Sequence, residues 1–265
     1  MTDRVLGSDS SGGGRPPGGR LTLLVVLAHP DDEIGAVAAM LAQRARGDRV
    51  VLCWLTRGEL TEAFGPVGPD EVLARRIELG RAAGEILGAE TRFLEFPDTA
   101  VPESREAALE VARVITDVRP DGILTWGDAW IRGMRHPDHQ ATGRIVRNAV
   151  TLARIQACVA PAMPHRKPAP VFTLRDAHST LPAVAIDAAP YVDTIHELGR
   201  LYYEALEFPE RDWLEQRLRD AGRRWGLDYA EEFDAWESDP GIVEALLPTR
   251  REGHPYHPER AGDRS

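Results

Sequence analysis

The sequence predicts an α/β fold: a Rossmann-like, doubly wound, mostly parallel sheet with helices on both faces and a smaller helical C-terminal part. Three observations predict it. Apolar runs of strand length alternate with amphipathic helical stretches from residue 21 to about residue 155. The first run is apolar at nearly consecutive positions, the pattern of a strand buried on both faces. The chain has 265 residues, 43% of them hydrophobic, which is enough for one large domain with a full core.

The first strand reads Leu21-Thr22-Leu23-Leu24-Val25-Val26-Leu27-Ala28. A helical pattern over 33–46 follows, with Ile34, Val37, Ala38 and Leu41 on one face and Gly47 placed to end it. Residues 49–56 read as a strand and 70–87 as a helix. That helix has Leu73, Ile77, Gly80, Gly84 and Leu87 along one side, where the two glycines let it approach the sheet closely. Strands over 91–96 and 122–126 alternate with helices over 105–118 and 137–155. Repeated strand–helix units of this length imply parallel strands covered on both faces. Four prolines between 161 and 170 then mark a loop. Beyond it, 171–174 and 183–186 are late strand candidates, and 191–206 and 213–225 read as helices.

Residues 1–20 are rich in Gly, Ser and Pro, with only Met1, Val5 and Leu6 apolar. Such a segment cannot offset its ordering entropy by burial, and it lacks the apolar stretch of a secretory signal. A disordered tail is expected over 1–20, one folded domain over 21–247 and a loose polar tail over 248–265. The 32 basic residues against 42 acidic ones give a formal net charge of −10. That balance argues against nucleic-acid and anionic-membrane partners, which need positive potential. No stretch has the roughly 18 apolar residues of a membrane span. Cys53 and Cys158 are too distant in sequence to pair on a metal, and Cys53 lies in an apolar run. A cytoplasmic setting suits both, and the oligomeric state, homo-oligomer included, is left open.

The chemistry concentrates at two strand ends. Ala28-His29-Pro30-Asp31-Asp32-Glu33 follows the first strand, at the edge where open α/β sheets bind ligands. A dinucleotide would need a glycine-rich turn there, and this turn carries three consecutive acids instead. Helix capping would explain one of those acids, but not the histidine and its neighbours. Arg135-His136-Pro137-Asp138-His139-Gln140 follows the fourth strand. In a doubly wound sheet the first and fourth strands flank the point where strand order reverses, so the two clusters can converge on one ion. Two imidazoles and a carboxylate make a three-ligand catalytic zinc set. The spacing supports His29 with Asp32 and one histidine of the second cluster. The same ligands suit Fe²⁺ or Mn²⁺.

These two motifs closely resemble the signatures of the LmbE-like superfamily, the N-acetylglucosaminyl-phosphatidylinositol de-N-acetylase family. The resemblance runs from Leu21 to about Val150 and then thins, apart from Gly226-Leu227-Asp228-Tyr229-Ala230-Glu231-Glu232-Phe233. It implies His29, Asp32 and His139 as metal ligands and Asp31 as general base. It implies His136 as the group that stabilises the oxyanion or protonates the leaving amine, with Asp138 orienting it. Leu55-Thr56-Arg57-Gly58-Glu59-Leu60 and Phe96-Pro97-Asp98 resemble segments of bacterial small-molecule deacetylases, and make Arg57 and Asp98 candidate sugar contacts. An ion pair of Arg57 with Glu59 or Glu62 and a turn role for Asp98 are the bland alternatives. The loop 127–135 is bulkier and more basic than the resemblance leads one to expect, and a Ser-Gln pair common in thiol-pathway relatives is absent after Leu206.

The implied activity is zinc-dependent removal of an acetyl group from an N-acetylated amino-sugar conjugate, a small molecule. Hydrolysis of another amide at the same centre, as in a thiol-conjugate amidase, is the second reading, and the contacts of Arg57 and Asp98 bear on the choice. A non-catalytic binding protein is disfavoured because every catalytic position is filled. Deleting residues 1–20 should leave the melting temperature nearly unchanged in a thermal scan, and a large drop would show that the tail docks on the domain.

Overall fold

The computed structural model describes residues 19–127, 136–176, 179–206 and 212–249. The expected tails therefore lie largely outside the described residues, as does most of the bulky loop before His136. The strands β1 (Thr22–Leu27), β2 (Arg49–Trp54), β3 (Glu90–Phe93), β4 (Gly122–Trp126), β5 (Val171–Leu174), β6 (Ala183–Asp187), β7 (Ala230–Ala235) and β8 (Gly241–Ile242) form one sheet. Its order is β3-β2-β1-β4-β5-β7-β6-β8. The first five strands are parallel, and β7 enters antiparallel to both β5 and β6. β1 and β4 are neighbours, in register from Leu23 opposite Gly122 to Val26 opposite Thr125. Strand order reverses between them, so the loops after these two strands share one crevice.

The helices are α1 (Val37–Ala45), α2 (Pro69–Leu87), α3 (Arg105–Val118), α4 (Pro137–Leu152), the short α5 (Gln156–Val159), α6 (Val192–Leu206) and α7 (Asp212–Trp225). Alternation along β1 splits the core. Leu23, Val25 and Leu27 pack with residues of α1, α2, α6 and α7, while Leu24 and Val26 pack with α3 and α4. No helix among the described residues is long and apolar enough to cross a membrane.

Three differences from the sequence pattern have physical causes. The first expected helix is broken: a short 3₁₀ turn (Asp32–Gly35) precedes α1, with Ala36 between them. The amides at the start of α1 are capped from outside, because Ala38 and Ala39 donate to the buried Glu231 carboxylate of β7, both at 3.0 Å. Second, the buried side of α2 is Val72, Arg76, Gly80, Ala83, Gly84 and Leu87, rotated from the apolar stripe so that an arginine goes inside. The glycines do bring it close, since a Cβ on Gly84 would lie 2.2 Å from Thr91 Cγ2. Third, β7 is a strand that the sequence pattern does not announce, because Ala-Glu-Glu-Phe-Asp-Ala shows neither a continuous apolar run nor clean alternation.

Burial lifts Glu231 to about 7, against the opposing effects of Arg217 and the α1 amides. The native state thus holds a proton that the unfolded chain, with an ordinary value of 4.5, releases. That contribution is complete below the unfolded value and is lost as pH rises through the folded one. Between pH 5 and pH 8 the wild type should therefore lose stability relative to Glu231→Gln, as denaturant melts of both proteins would measure. A constant difference across that range would show that Glu231 stays ionised in the fold.

Candidate active site

The site forms where the loops after β1 and β4 meet, joined by the loops after β2 and β3. It opens into a cavity of about 720 Å³. His29 leaves β1 one residue after Ala28, with its ring buried. Its Nε2 lies 3.0 Å from Asp138 Oδ2 and 3.2 Å from Asp98 Oδ1. Both carboxylates accept from that nitrogen, and when the ring is neutral this leaves the lone pair on Nδ1. Burial works against a charged His29, but Asp138, Asp98, Asp32 and Asp31 together outweigh it and raise the imidazole to about 10.

Asp32 folds back on its own loop. Its Oδ2 accepts from the amides of Ala28 and His29 and from Trp126 Nε1, each at 2.9 Å. Its Oδ1 stands 3.1 Å from His139 Nε2. Burial would raise Asp32, yet the charges of His139 and His29 and these hydrogen bonds hold it well below the usual carboxylate range. Trp126, the last residue of β4, also lies flat on His139, with ring centroids 3.9 Å apart. One indole thus fixes both a carboxylate and an imidazole.

Asp31 takes a backbone φ of 144°, a strained conformation for a residue with a Cβ. Its amide is held by the buried Glu33 carboxylate at 3.0 Å. Glu33 in turn accepts from Trp54 Nε1 and from the Tyr202 hydroxyl of α6. The side chain of Asp31 pairs with Arg76 at 3.2 Å. Burial raises the Asp31 carboxyl, and the Arg76 charge partly offsets the rise.

His136 caps α4, where its Nδ1 accepts from the Asp138 amide at 3.3 Å. A neutral ring so held carries its hydrogen on Nε2. Burial and the nearby charges of His29 and His139 lower its pKa, which favours that neutral form. The Asp138 side chain lies farther from this ring, at 3.9 Å, and is hydrogen-bonded to His29 and to the amides of Thr99 and Val101. Donor atoms of His29, His136 and His139 lie within 4.8 Å of one another, as do those of His29, Asp98, His136 and Asp138.

The structure thus brings His29, Asp31, Asp32, His136, Asp138, His139 and Asp98 together at one pole. Arg57 is not in it: its guanidinium faces Glu95 at 3.4 Å and does not line the cavity. Asp98 lines the cavity but is buried, and its carboxylate is engaged by His29 and the Leu60 amide. Arg76, Trp126, Glu33 and Tyr202 are site residues that the sequence reading does not single out. An apolar strand residue and an arginine in a helix carry no local signal of such a role. Only Glu33, as a third consecutive acid, stands out.

Comparison with known proteins identifies the family. The family model described as GlcNAc-PI de-N-acetylase, PIG-L, matches residues 24–150. A 1D-myo-inositol 2-acetamido-2-deoxy-alpha-D-glucopyranoside deacetylase 1 of Catenulispora acidiphila is 30% identical over 263 residues, covering 88% of this chain and 70% of that protein. The chain belongs to the PIG-L family. A diacetylchitobiose deacetylase of Thermococcus kodakarensis is 35% identical over 133 residues, 49% of each protein. The chain spans about half the length of several such curated relatives. Among solved structures, a conserved protein of Thermus thermophilus matches with a TM-score of 0.70 and 28% identity, over 82% of this chain and 94% of that one. The PIG-L match contains every residue of the pole from His29 to His139, with Arg76, Asp98 and Trp126 among them.

Gly58, in the loop after β2, has φ +68°, and a Cβ there would sit 2.5 Å from Arg76 Nε. Gly47 also has a positive φ, +83°, with nothing within 4 Å. Gly47→Ala should cost about 1 kcal/mol, the conformational penalty alone. Gly58→Ala should cost clearly more in a denaturant melt, because it pushes on a buried ion pair. Equal losses would mean that the guanidinium moves aside freely.

Proposed function

We propose that this protein is a zinc-dependent hydrolase that removes the acetyl group from an N-acetylglucosamine-type conjugate. The observation that carries the reading is the way the ligand candidates are held. Carboxylates take His29 Nε2 and three donors take Asp32 Oδ2, which leaves His29 Nδ1 at 3.8 Å from Asp32 and Asp32 Oδ1 at 3.1 Å from His139 Nε2. Buttressing of this kind fixes the tautomer and orientation of metal ligands. His29, Asp32 and His139 would hold the ion. Two imidazoles and one carboxylate, with no cysteine near, fit an open catalytic zinc position. Membership of the PIG-L family supports the amide chemistry, and relatives named for acetamido-sugar substrates support the sugar.

When bound, the ion supplies Lewis acidity, polarising the acetyl carbonyl and making water more acidic. The protein's own groups do the rest. Asp31 takes a proton as water adds to the carbonyl carbon, and Arg76 favours the charged form of that carboxylate and holds it in place. His136, neutral and with its hydrogen on Nε2, donates to the oxygen on which charge develops. The proton on Asp31 passes to the amine nitrogen as the C–N bond breaks, leaving acetate and the free amino sugar. Asp138 and Asp98 hold His29 throughout. Asp98 thus has a positioning role ahead of the sugar contact expected of it, and Arg57 would reach a substrate only by leaving Glu95.

Three substitutions separate these roles. His139→Ala and Asp32→Asn should lose most bound metal, as read by elemental analysis. Asp31→Asn should keep its metal while kcat for acetate release falls by roughly 100-fold or more, with little change in KM. Loss of metal from Asp31→Asn with retention in Asp32→Asn would exchange the two roles. Near-full kcat in Asp31→Asn would place the base elsewhere, and full metal occupancy in His139→Ala would end the ligand assignment.

A further inference from the structure

The cavity has a second half that this chemistry does not use. Away from the polar pole, the lining includes Ile34, Leu174, Tyr203, Leu206 and Trp213, with Arg217 beside them. Arg175 and Glu232 also line it, and their charges are already met by each other, by Asp234 and by Arg224. The apolar residues come from the turn after β1, from the end of β5 and from α6 and α7, so the C-terminal part of the chain supplies most of this wall. Arg217 braces it. Its Nη2 donates to the Ile34 carbonyl at 3.2 Å, and its guanidinium carbon lies 5.8 Å from the Trp213 ring centroid. Trp213 is 40% exposed, a large share for an indole that lines a cavity. Leu206 and Leu174 are nearly buried.

We infer that this wall binds the group attached to the amino sugar, and that the group is apolar, an alkyl chain or an aromatic ring. The inference rests on the deacetylase reading for the sugar half. Its own basis is the continuity of one cavity from the histidines to Trp213, together with the chemistry of the lining. A polyol or second sugar brings hydroxyls that must keep hydrogen-bond partners when desolvated. Leu174, Leu206 and Ile34 side chains offer none. An apolar group instead gains from the same burial, about fourfold in affinity for each fully buried methylene. The indole edge and face add dispersion contact for a ring.

The test compares methyl, butyl and phenyl N-acetylglucosaminides, in both anomers, with N,N'-diacetylchitobiose and an inositol-linked N-acetylglucosamine. Affinity is measured by calorimetry on the metal-loaded full chain, and acetate release in parallel. The better of butyl and phenyl should bind at least tenfold tighter than methyl, and tighter than the two hydroxyl-rich conjugates. Trp213→Ala should reduce the ratio of that ligand's affinity to methyl's by threefold or more. A ratio below tenfold, a preference for a hydroxyl-rich conjugate, or a ratio unchanged in Trp213→Ala would each overturn the inference. The two readings fail separately. Acetate released from the methyl glycoside with a flat ratio sinks only the apolar subsite. A high ratio with no acetate from any glycoside leaves the subsite and sinks the deacetylase.

Discussion

The contact between Asp138 and His29 is the constraint on which the rest of the site depends. These residues are 109 positions apart, His29 in the loop after β1 and Asp138 in the first turn of α4 after β4, the two strands between which strand order reverses. Their hydrogen bond is 3.0 Å long and buried. Asp138 is also pinned by two amides of the loop after β3. One carboxylate therefore locks three loops to a single imidazole. Its own ionisation is secured by the same contacts: burial would raise it, and the hydrogen bonds from His29 and the amides keep it low.

A cluster of four carboxylates, Asp31, Asp32, Asp98 and Asp138, is costly to bury unless positive charge accompanies it. Within the protein that charge comes from Arg76 and the histidines. Arg76 is itself buried, with Nε and Nη1 lacking hydrogen-bond partners among the described residues. The surrounding shell holds the backbone of Asp31 in a conformation it would not choose. Glu33 does so directly, and Trp54 and Tyr202 hold Glu33. The strain at Asp31 thus rests on side chains from β2 and α6, which lie far apart in the chain.

The parallel half of the fold is legible in the sequence because its signals are local. α3 and β4 fall at the expected residues, since a capping Ser104 and an apolar run mark them without help from distant contacts. Both His/Asp motifs are legible because histidines and acids cluster at strand ends. What sequence does not show depends on partners far away. Arg76 turns inward because Asp31 is there to meet it, against the apolar stripe that would have put Leu73 and Ile77 inside. The break before α1 is stable because Glu231, almost 200 residues later, caps the amides left open. The acidic β7 is buried because Asp234 meets Arg175 and Glu231 accepts from the amides at the α1 terminus. The resemblance marks Gly226 to Phe233 as a family segment without a physical reason for it; the cap supplies one.

The division of the cavity follows from the same topology. Every side chain at the polar pole comes from the parallel strands β1 to β4 or the loops and helices between and after them, within the residues the PIG-L model matches. The opposite wall is built mostly beyond residue 150, by Leu174, Tyr203, Leu206 and Trp213. The pole is geometrically over-determined, since moving any loop breaks hydrogen bonds to buried carboxylates. The wall is held by packing, with Arg217 as its polar tie to Ile34. Packing tolerates replacement of one apolar side chain by another of similar volume, whereas a buried charge network does not tolerate loss of a member. A fold arranged in this way can keep its polar pole while the apolar wall varies, because Leu174, Leu206 and Trp213 take no part in the charge network, whereas Tyr202, on the same helix as Leu206, does.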